Sequence, residues 1–366
     1  MGTESFPSPC LVTVRMRLPA GDSPHASGRR IPRPRPGSLV LLLALALPGL
    51  PGCGASDPAA PDRDPSGLQV VKRPDPVLTT NRGLVADPSV IRRGDTLLMV
   101  YSDYRLSSDS IVFNAARSTD GIRWEPVFDD PDARVFSGNP GAWDGRIETP
   151  EIVEIDGTVH LYYIGYPESD FTQGVYASQI GVAVDDGTGV FRRLGPDPAL
   201  PRGGRLDQDA LTSPAVIPHA GGWTMLYTGW RRILEAGGFL GLTGAVSADG
   251  RQWMKTDDEV LPSILDTPFE TATEADLVTG GDGWLYLFFS AENGIAMARA
   301  RTPEGPWSLW PDPIVVADRP WESGEVVAPT ALVEDGRVRL WYTGVVGDFT
   351  GASIGYAEFE LPEEWP

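Results

Sequence analysis

Apolar residues in this chain fall into short runs closed by turns, a pattern that predicts many brief β-strands rather than long helices. Five segments set a repeat: ADPSVI (86–91), ETPEIV (148–153), TSPAVI (212–217), TEADLV (273–278) and VAPTAL (327–332). They align on Pro88, Pro150, Pro214, Ala275 and Pro329, with spacings of 62, 64, 61 and 54 residues. A turn such as EIDG or VEDG follows each, and then an aromatic-rich run. Those runs are TLLMVYSD (96–103), TVHLYYIG (158–165), WTMLYTG (223–229), WLYLFFSA (284–291) and VRLWYTG (338–344). A third strand comes next in every copy: FNAARS, IGVAVD, TGAVSA, IAMARA and IGYAEF. Several copies then enter a tight turn with an aromatic, as in STDGIRW (118–124) and SADGRQW (247–253).

Such a unit cannot bury both of its faces alone, so neighbouring copies must stack in a line or a ring. The fifth copy ends about one strand short, at Glu358–Pro366, and LQVVK (68–72) ahead of the first copy can supply the missing strand. A ring needs that complement and a linear stack does not. The expectation is therefore an all-β protein, a single five-bladed β-propeller over residues 68–366, closed by an N-terminal strand. The 42 Gly and 35 Pro suit a chain of strands and turns.

Residues 1–67 read differently. An Arg-rich stretch (29–35), the nine-residue apolar run Leu39–Leu47 and Leu50-Pro51-Gly52-Cys53 follow one another. The run is too short to span a bilayer and suits the core of an export signal. The last four residues resemble a lipobox, whose Cys, here Cys53, is lipidated in bacterial lipoproteins. Pro51 departs from that pattern and keeps a plain secretory signal as the alternative. Residues 1–53 are thus read as the signal, and 54–67, GASDPAAPDRDPSG, as a disordered tether. The expected location is outside the cytoplasm, lipid-anchored to the bacterial envelope or else secreted.

Cys10 and Cys53 are the only cysteines, so the domain is expected to hold no disulfide, and three His (25, 160, 219) are too scattered for a zinc site. No cofactor is called for, with a structural calcium in the channel left open. The formal charge is −20, and residues 1–52 contribute about +4 of opposite sign, so the domain is the more acidic part. That charge excludes nucleic acid and anionic lipid as partners; the membrane enters only through the lipid anchor, and a monomer is expected.

Inner strands of a propeller converge on one channel. In the slot before each aligned proline stand Asp87, Thr149, Ser213, Glu274 and Ala328. The repeat does not require acid there, so Asp87 and Glu274 become the candidate catalytic carboxylates, one as acid and the other as base or nucleophile. Thr149 and Ser213 are candidate substrate contacts. Trp143-Asp144, Leu206-Asp207, Phe269-Glu270 and Trp321-Glu322 recur a few residues before the slots and are read as frame residues joining blade to blade.

These motifs, in this order from Leu84 to Glu358, resemble the five-bladed glycosidase superfamily of families 43, 32, 62 and 68. The resemblance implies a glycoside hydrolase acting on a carbohydrate, on furanosides or pentopyranosides. It implies Asp87 as general base or nucleophile, Glu274 as general acid and Glu151 as a substrate contact. The family's third-blade acid would align with Ser213, and Asp209, four residues earlier, is the candidate third carboxylate. A related transferase or phosphorylase and a non-catalytic glycan-binding propeller are the alternatives, with Arg82, Arg105 and Arg146 as phosphate-binding candidates for the phosphorylase.

Overall fold

The structure is a computed structural model that describes residues 68–105, 108, 110–130, 132–169, 177–231, 239–261, 269, 271–347 and 350–365. The proposed signal, Cys53 and the tether lie outside the described residues, as does Glu270. A short strand, β1 (Val71–Lys72), comes first. Blade one follows as β2 (Gly83–Arg93), β3 (Thr96–Arg105), β4 (Ser110–Ser118) and β5 (Glu125–Pro126), with β6 (Phe136–Ser137) beside β4. Blade two is β7 (Arg146–Ile155), β8 (Thr158–Tyr166), β9 (Gln179–Asp185) and β10 (Phe191–Arg193). Blade three is β11 (Ala210–His219), β12 (Gly222–Arg231), β13 (Phe239–Ser247) and β14 (Met254–Lys255). Blade four is β15 (Thr273–Thr279), β16 (Leu285–Ala291), β17 (Gly294–Ala300) and β18 (Ser308–Leu309). Blade five is β19 (Glu325–Glu334), β20 (Arg337–Val345) and β21 (Ala352–Glu360), and β1 is its fourth strand.

The ring is therefore closed as the strand count required. Val71 pairs with Glu358 and Lys72 with Ala357, antiparallel. Apolar clusters lie between consecutive blades, each made from both. Val85, Val90 and Met99 of blade one, for example, pack with Trp341, Ile354 and Tyr356 of blade five.

Each inner strand carries the same irregularity. Asp87, Thr149, Ser213, Glu274 and Ala328 all have positive φ, between 48° and 52°, although none is glycine. At each, two residues on the inner strand face one on the next: 87–88 oppose Tyr101, 149–150 Tyr163, 213–214 Tyr227, 274–275 Phe289 and 328–329 Tyr342. This is a β-bulge, which bends a strand and re-aims a side chain, and proline is tolerated there because the ladder is already broken. Left-handed backbone at a non-glycine residue costs roughly 1–3 kcal/mol, so something must hold it. Part of the answer is a set of clasps from blade to blade. Thr343 Oγ1 accepts the Asp87 N–H at 2.9 Å, Thr228 Oγ1 that of Glu274 at 2.9 Å, and Ser290 Oγ that of Ala328 at 2.9 Å. Thr149 Oγ1 accepts the Ser213 N–H at 3.3 Å.

The frame acids are fastened mainly within their own blades, which corrects the expected role. Asp144 accepts from Tyr163 at 2.9 Å and from Arg193 of β10 at 2.5 Å. Asp207 accepts from Tyr227 at 2.8 Å and Lys255 of β14 at 2.7 Å. Glu322 accepts from Tyr342 at 3.0 Å and from Lys72 of β1. Each acid thereby ties the loop entering a blade to that blade's second and fourth strands. The cation does reach further: Arg193 also donates to the Ser137 carbonyl of β6, beside blade one. Blade-to-blade fastening falls more clearly to the Ser-x-Asp-Gly turns. Asp120 Oδ1 accepts the N–H groups of Ile122 and Arg123, both at 2.8 Å, and the Gly121 carbonyl accepts Trp341 Nε1 of blade five at 2.8 Å. The Gly250 carbonyl likewise accepts the Tyr162 hydroxyl of blade two.

Glycine closing the second strand makes room for the frame pair. A Cβ on Gly165 would lie 2.5 Å from Asp144 Cβ, and one on Gly344 would overlap the Trp321 ring. Trp143 stacks on Tyr163 with centroids 6.2 Å apart, and Trp321 on Tyr342 at 6.1 Å. Blade one has Asp103 at this position.

Candidate active site

The slots form a ring at the channel, which is lined by Asp87, Thr149, Ser213, Glu274 and Ala328 with the residues that follow them. Its free volume is about 30 Å³, room for water and not for a sugar ring, so a glycan would sit on the mouth above the slots.

Asp87 and Glu274 feel each other electrostatically across this ring. Burial raises the pKa of Asp87, and the Thr149 amide and the Tyr104 hydroxyl, the latter at 3.4 Å, oppose that rise; the Ser102 hydroxyl lies nearby and opposes it too, but makes no hydrogen bond. The Glu274 carboxyl accepts from Ser290 Oγ at 2.9 Å. Burial first and the Asp87 charge second push Glu274 up to about 8. A third carboxyl joins them from blade two. Glu148, immediately before its slot, is 1% exposed and accepts from the Tyr166 hydroxyl, while Oε2 has no partner. It too is pushed up to about 8, by burial and then by Asp87, with the Tyr166 bond and Arg146 opposing. At neutral pH, Glu148 and Glu274 thus keep their protons.

A second pair of acids lies one step further along the inner strands. Glu151 accepts from Ser89 Oγ at 2.8 Å and the Val216 N–H at 3.3 Å, and Asp276 accepts the Ala331 N–H at 2.6 Å. Burial raises Asp276 to about 6 and Glu151 well above the ordinary carboxylate range, with the Asp276 charge adding to the latter.

The candidates from the sequence therefore separate. Asp87, Glu274, Thr149 and Ser213 meet at one ring, where Thr149 gives its amide to Asp87 and its hydroxyl accepts the Ser213 N–H, while the Ser213 hydroxyl is buried with no hydrogen-bond partner. Glu151 shares the channel lining, but its carboxyl is engaged by Ser89 and the blade-three backbone. Asp209 is exposed and is not among the lining residues. Arg82 and Arg105 are bound to the loop at Asp132 and Ala133, whereas Arg146 stands near Glu148. Glu148, Asp276, Tyr104 and Tyr166 went unmarked in the sequence. Glu148 is the one acid in the position before a slot, where Ala86, Thr212, Thr273 and Val327 stand in the other copies; that contrast is its only signal.

No family model matches the sequence, and comparison with curated proteins finds no match. Solved structures do match. One is a glycoside hydrolase, at 17% identity, with a TM-score of 0.61 over 81% of this chain and 95% of its own. Another belongs to work on the GH130 family of mannoside phosphorylases, which contains glycoside hydrolases that target β-1,2 mannosidic linkages in Candida mannan; it aligns at 15% identity and TM-score 0.58 over 78% and 86% of the two chains. An endo-arabinase from Bacteroides thetaiotaomicron aligns at 14% identity and TM-score 0.57, over 80% of this chain and 98% of its own. This chain has the fold of glycoside hydrolases. At these identities the likeness carries the five-bladed architecture and leaves the chemistry to the site.

Stability should report the buried acids directly. A carboxyl with a raised folded pKa binds its proton in the native state where the unfolded chain has released it, so stability falls as pH rises through that window. For Glu148 and Glu274 the window runs from about 4.5 to about 8. Each such proton is worth about 1.4 kcal/mol per pH unit. Melting temperature should accordingly fall between pH 5 and pH 8, and Glu148→Gln should flatten the slope. A slope unchanged in that variant would show Glu148 ionised throughout.

Proposed function

We propose that this protein is a glycoside hydrolase that uses Glu274 as general acid and Asp87 as base or nucleophile, on furanosides or pentopyranosides of a polysaccharide. The observation that carries the reading is the pairing of two buried carboxyls at one ring: Glu274 is pushed up to about 8 by burial and then by the charge of Asp87, whose own rise through burial is opposed by the Thr149 amide and the Tyr104 hydroxyl. A carboxyl that keeps its proton beside the charge of a second one suits the acid role at neutral pH, with the second as base or nucleophile. In the proposed step the glycosidic C–O bond breaks and Glu274 gives its proton to the departing oxygen. Asp87 either removes a proton from the attacking water or bonds to the anomeric carbon, after which water releases the sugar. Protonated Glu148 leaves the negative charge to Asp87. The pentose preference follows the family resemblance and the endo-arabinase likeness; the exported, lipid-anchored location remains part of the proposal on the N-terminal pattern.

Arg146 beside Glu148, with the likeness to a phosphorylase family, favours phosphorolysis as the second reading. Nitrophenyl glycosides of arabinose, xylose and mannose distinguish the two. Hydrolysis predicts nitrophenol release without phosphate; phosphorolysis predicts release that requires phosphate and yields a sugar phosphate. Turnover of no glycoside, with sugar still bound, would leave a glycan-binding propeller.

A further inference from the structure

Blade one lacks the fastening found in blades two, three and five. Counting back from the slots, Trp143-Asp144, Leu206-Asp207 and Trp321-Glu322 correspond to Thr80-Asn81 ahead of Asp87. Thr80 is far smaller than tryptophan, and Asn81 carries no charge. A cavity of about 360 Å³ occupies this part of the blade, within the size range of small-ligand pockets. Tyr101, equivalent to the tyrosines that bind the frame acids elsewhere, lines it together with Phe128.

Asp103 also lines the cavity, at the position that glycine holds in blades two, three and five. It is 3% exposed. Oδ2 accepts from Asn114 at 2.8 Å and from Arg105 at 3.1 Å, while Oδ1 is buried with no hydrogen-bond partner. A buried acceptor without a donor is costly, roughly 1–3 kcal/mol, and a ligand hydroxyl would relieve that cost. Asp129 and Asp130 stand on the same wall, and Arg82 there is already paired with Asp132 at 3.1 Å. This balance disfavours an anion. Aromatic walls beside several acceptors match a sugar ring, whose C–H face and hydroxyls need both.

We propose that the blade-one cavity is a second carbohydrate site that takes one neutral monosaccharide unit, separate from the channel. The ligand class rests on the glycan-acting reading, but no channel residue takes part.

Ligand-observed NMR titration of the full chain with D-mannose, L-arabinose and D-galactose, one at a time, tests it. At least one sugar should bind, and should still bind to the channel variant Asp87→Asn/Glu274→Gln. Asp103→Asn keeps the shape and should weaken binding about tenfold, the loss expected for a hydrogen bond to a charged group. Thr80→Trp restores the bulk present in other blades and should abolish binding, with melting temperature and aryl-glycoside turnover unchanged. Binding kept in Thr80→Trp but lost in the channel variant would overturn the proposal, as would no binding of any of the three sugars. Spermidine or Ca²⁺ bound in place of sugar, and lost in Asp103→Asn, would overturn it in favour of a cation site. If Thr80→Trp does not fold, unchanged affinity in Asp103→Asn overturns it alone. Sugar binding sensitive to Thr80→Trp in a protein without turnover would sink the hydrolase reading and leave this site standing.

Discussion

If the proposed hydrolysis is right, Asp87→Asn is expected to reduce turnover by about 10²–10⁴-fold on every glycoside substrate, whatever the leaving group. Asparagine keeps the shape and an oxygen to accept the Thr149 amide, so the slot should stay folded while the negative charge is lost. Glu274→Gln should divide substrates instead. With a poor leaving group the loss should be of similar size, because the departing oxygen needs its proton; with an activated aryl group, little should change. The pH profile gives an independent reading. Glu274 is pushed up to about 8, so kcat/KM should fall as pH rises through that value and the acid loses its proton. In Glu274→Gln, measured with an activated substrate, that alkaline limb should vanish. Full turnover by Asp87→Asn would place the catalytic acids elsewhere.

What could be read from the sequence is what the repeat made visible. Aligning five copies exposed the slots, because Asp87 and Glu274 stand where Thr149, Ser213 and Ala328 show that acid is optional. The count of strands exposed the closing strand for the same reason. The bulge was not legible: Asp, Thr, Ser, Glu and Ala share no side-chain property, and the common positive φ belongs to the backbone. An extra residue at every slot breaks the strict alternation that strand reading assumes, and this hid Glu148 and Asp276. Frame acids were recognised by recurrence, but spacing alone cannot say which strand offers the partner. Lys72, Arg193 and Lys255 come from the outermost strands, distant in sequence from Glu322, Asp144 and Asp207 in all three cases. The departure of blade one, with Asp103 in the glycine position, acquires meaning only once the space left by the absent frame pair is seen.

Removing Leu68–Lys72 should produce the largest loss of stability, because two separate supports go together. Blade five would present β21 as an unpaired edge, a liability for aggregation. The same deletion would strip Glu322 of its cation. Glu322 is fully buried, and burial already raises its pKa against the opposing Lys72 contact. Lys72→Met isolates the second effect, since the strand hydrogen bonds remain. A buried carboxylate deprived of its partner costs about 3–5 kcal/mol, which corresponds to a fall of roughly 5–8 °C in melting temperature for a domain of about 300 residues. Val71→Ser, at a side chain 61% exposed on the same strand, should stay within about 0.5 kcal/mol of wild type. The double variant Lys72→Met/Glu322→Gln should recover part of the loss, because no uncompensated charge is then left beside Tyr342. Thermal unfolding of the four variants at neutral pH decides the matter: a Lys72→Met protein that melts with wild type would remove the ion pair from the closure, and a double variant no better than Lys72→Met would mean that lost packing, not the orphaned charge, carries the effect.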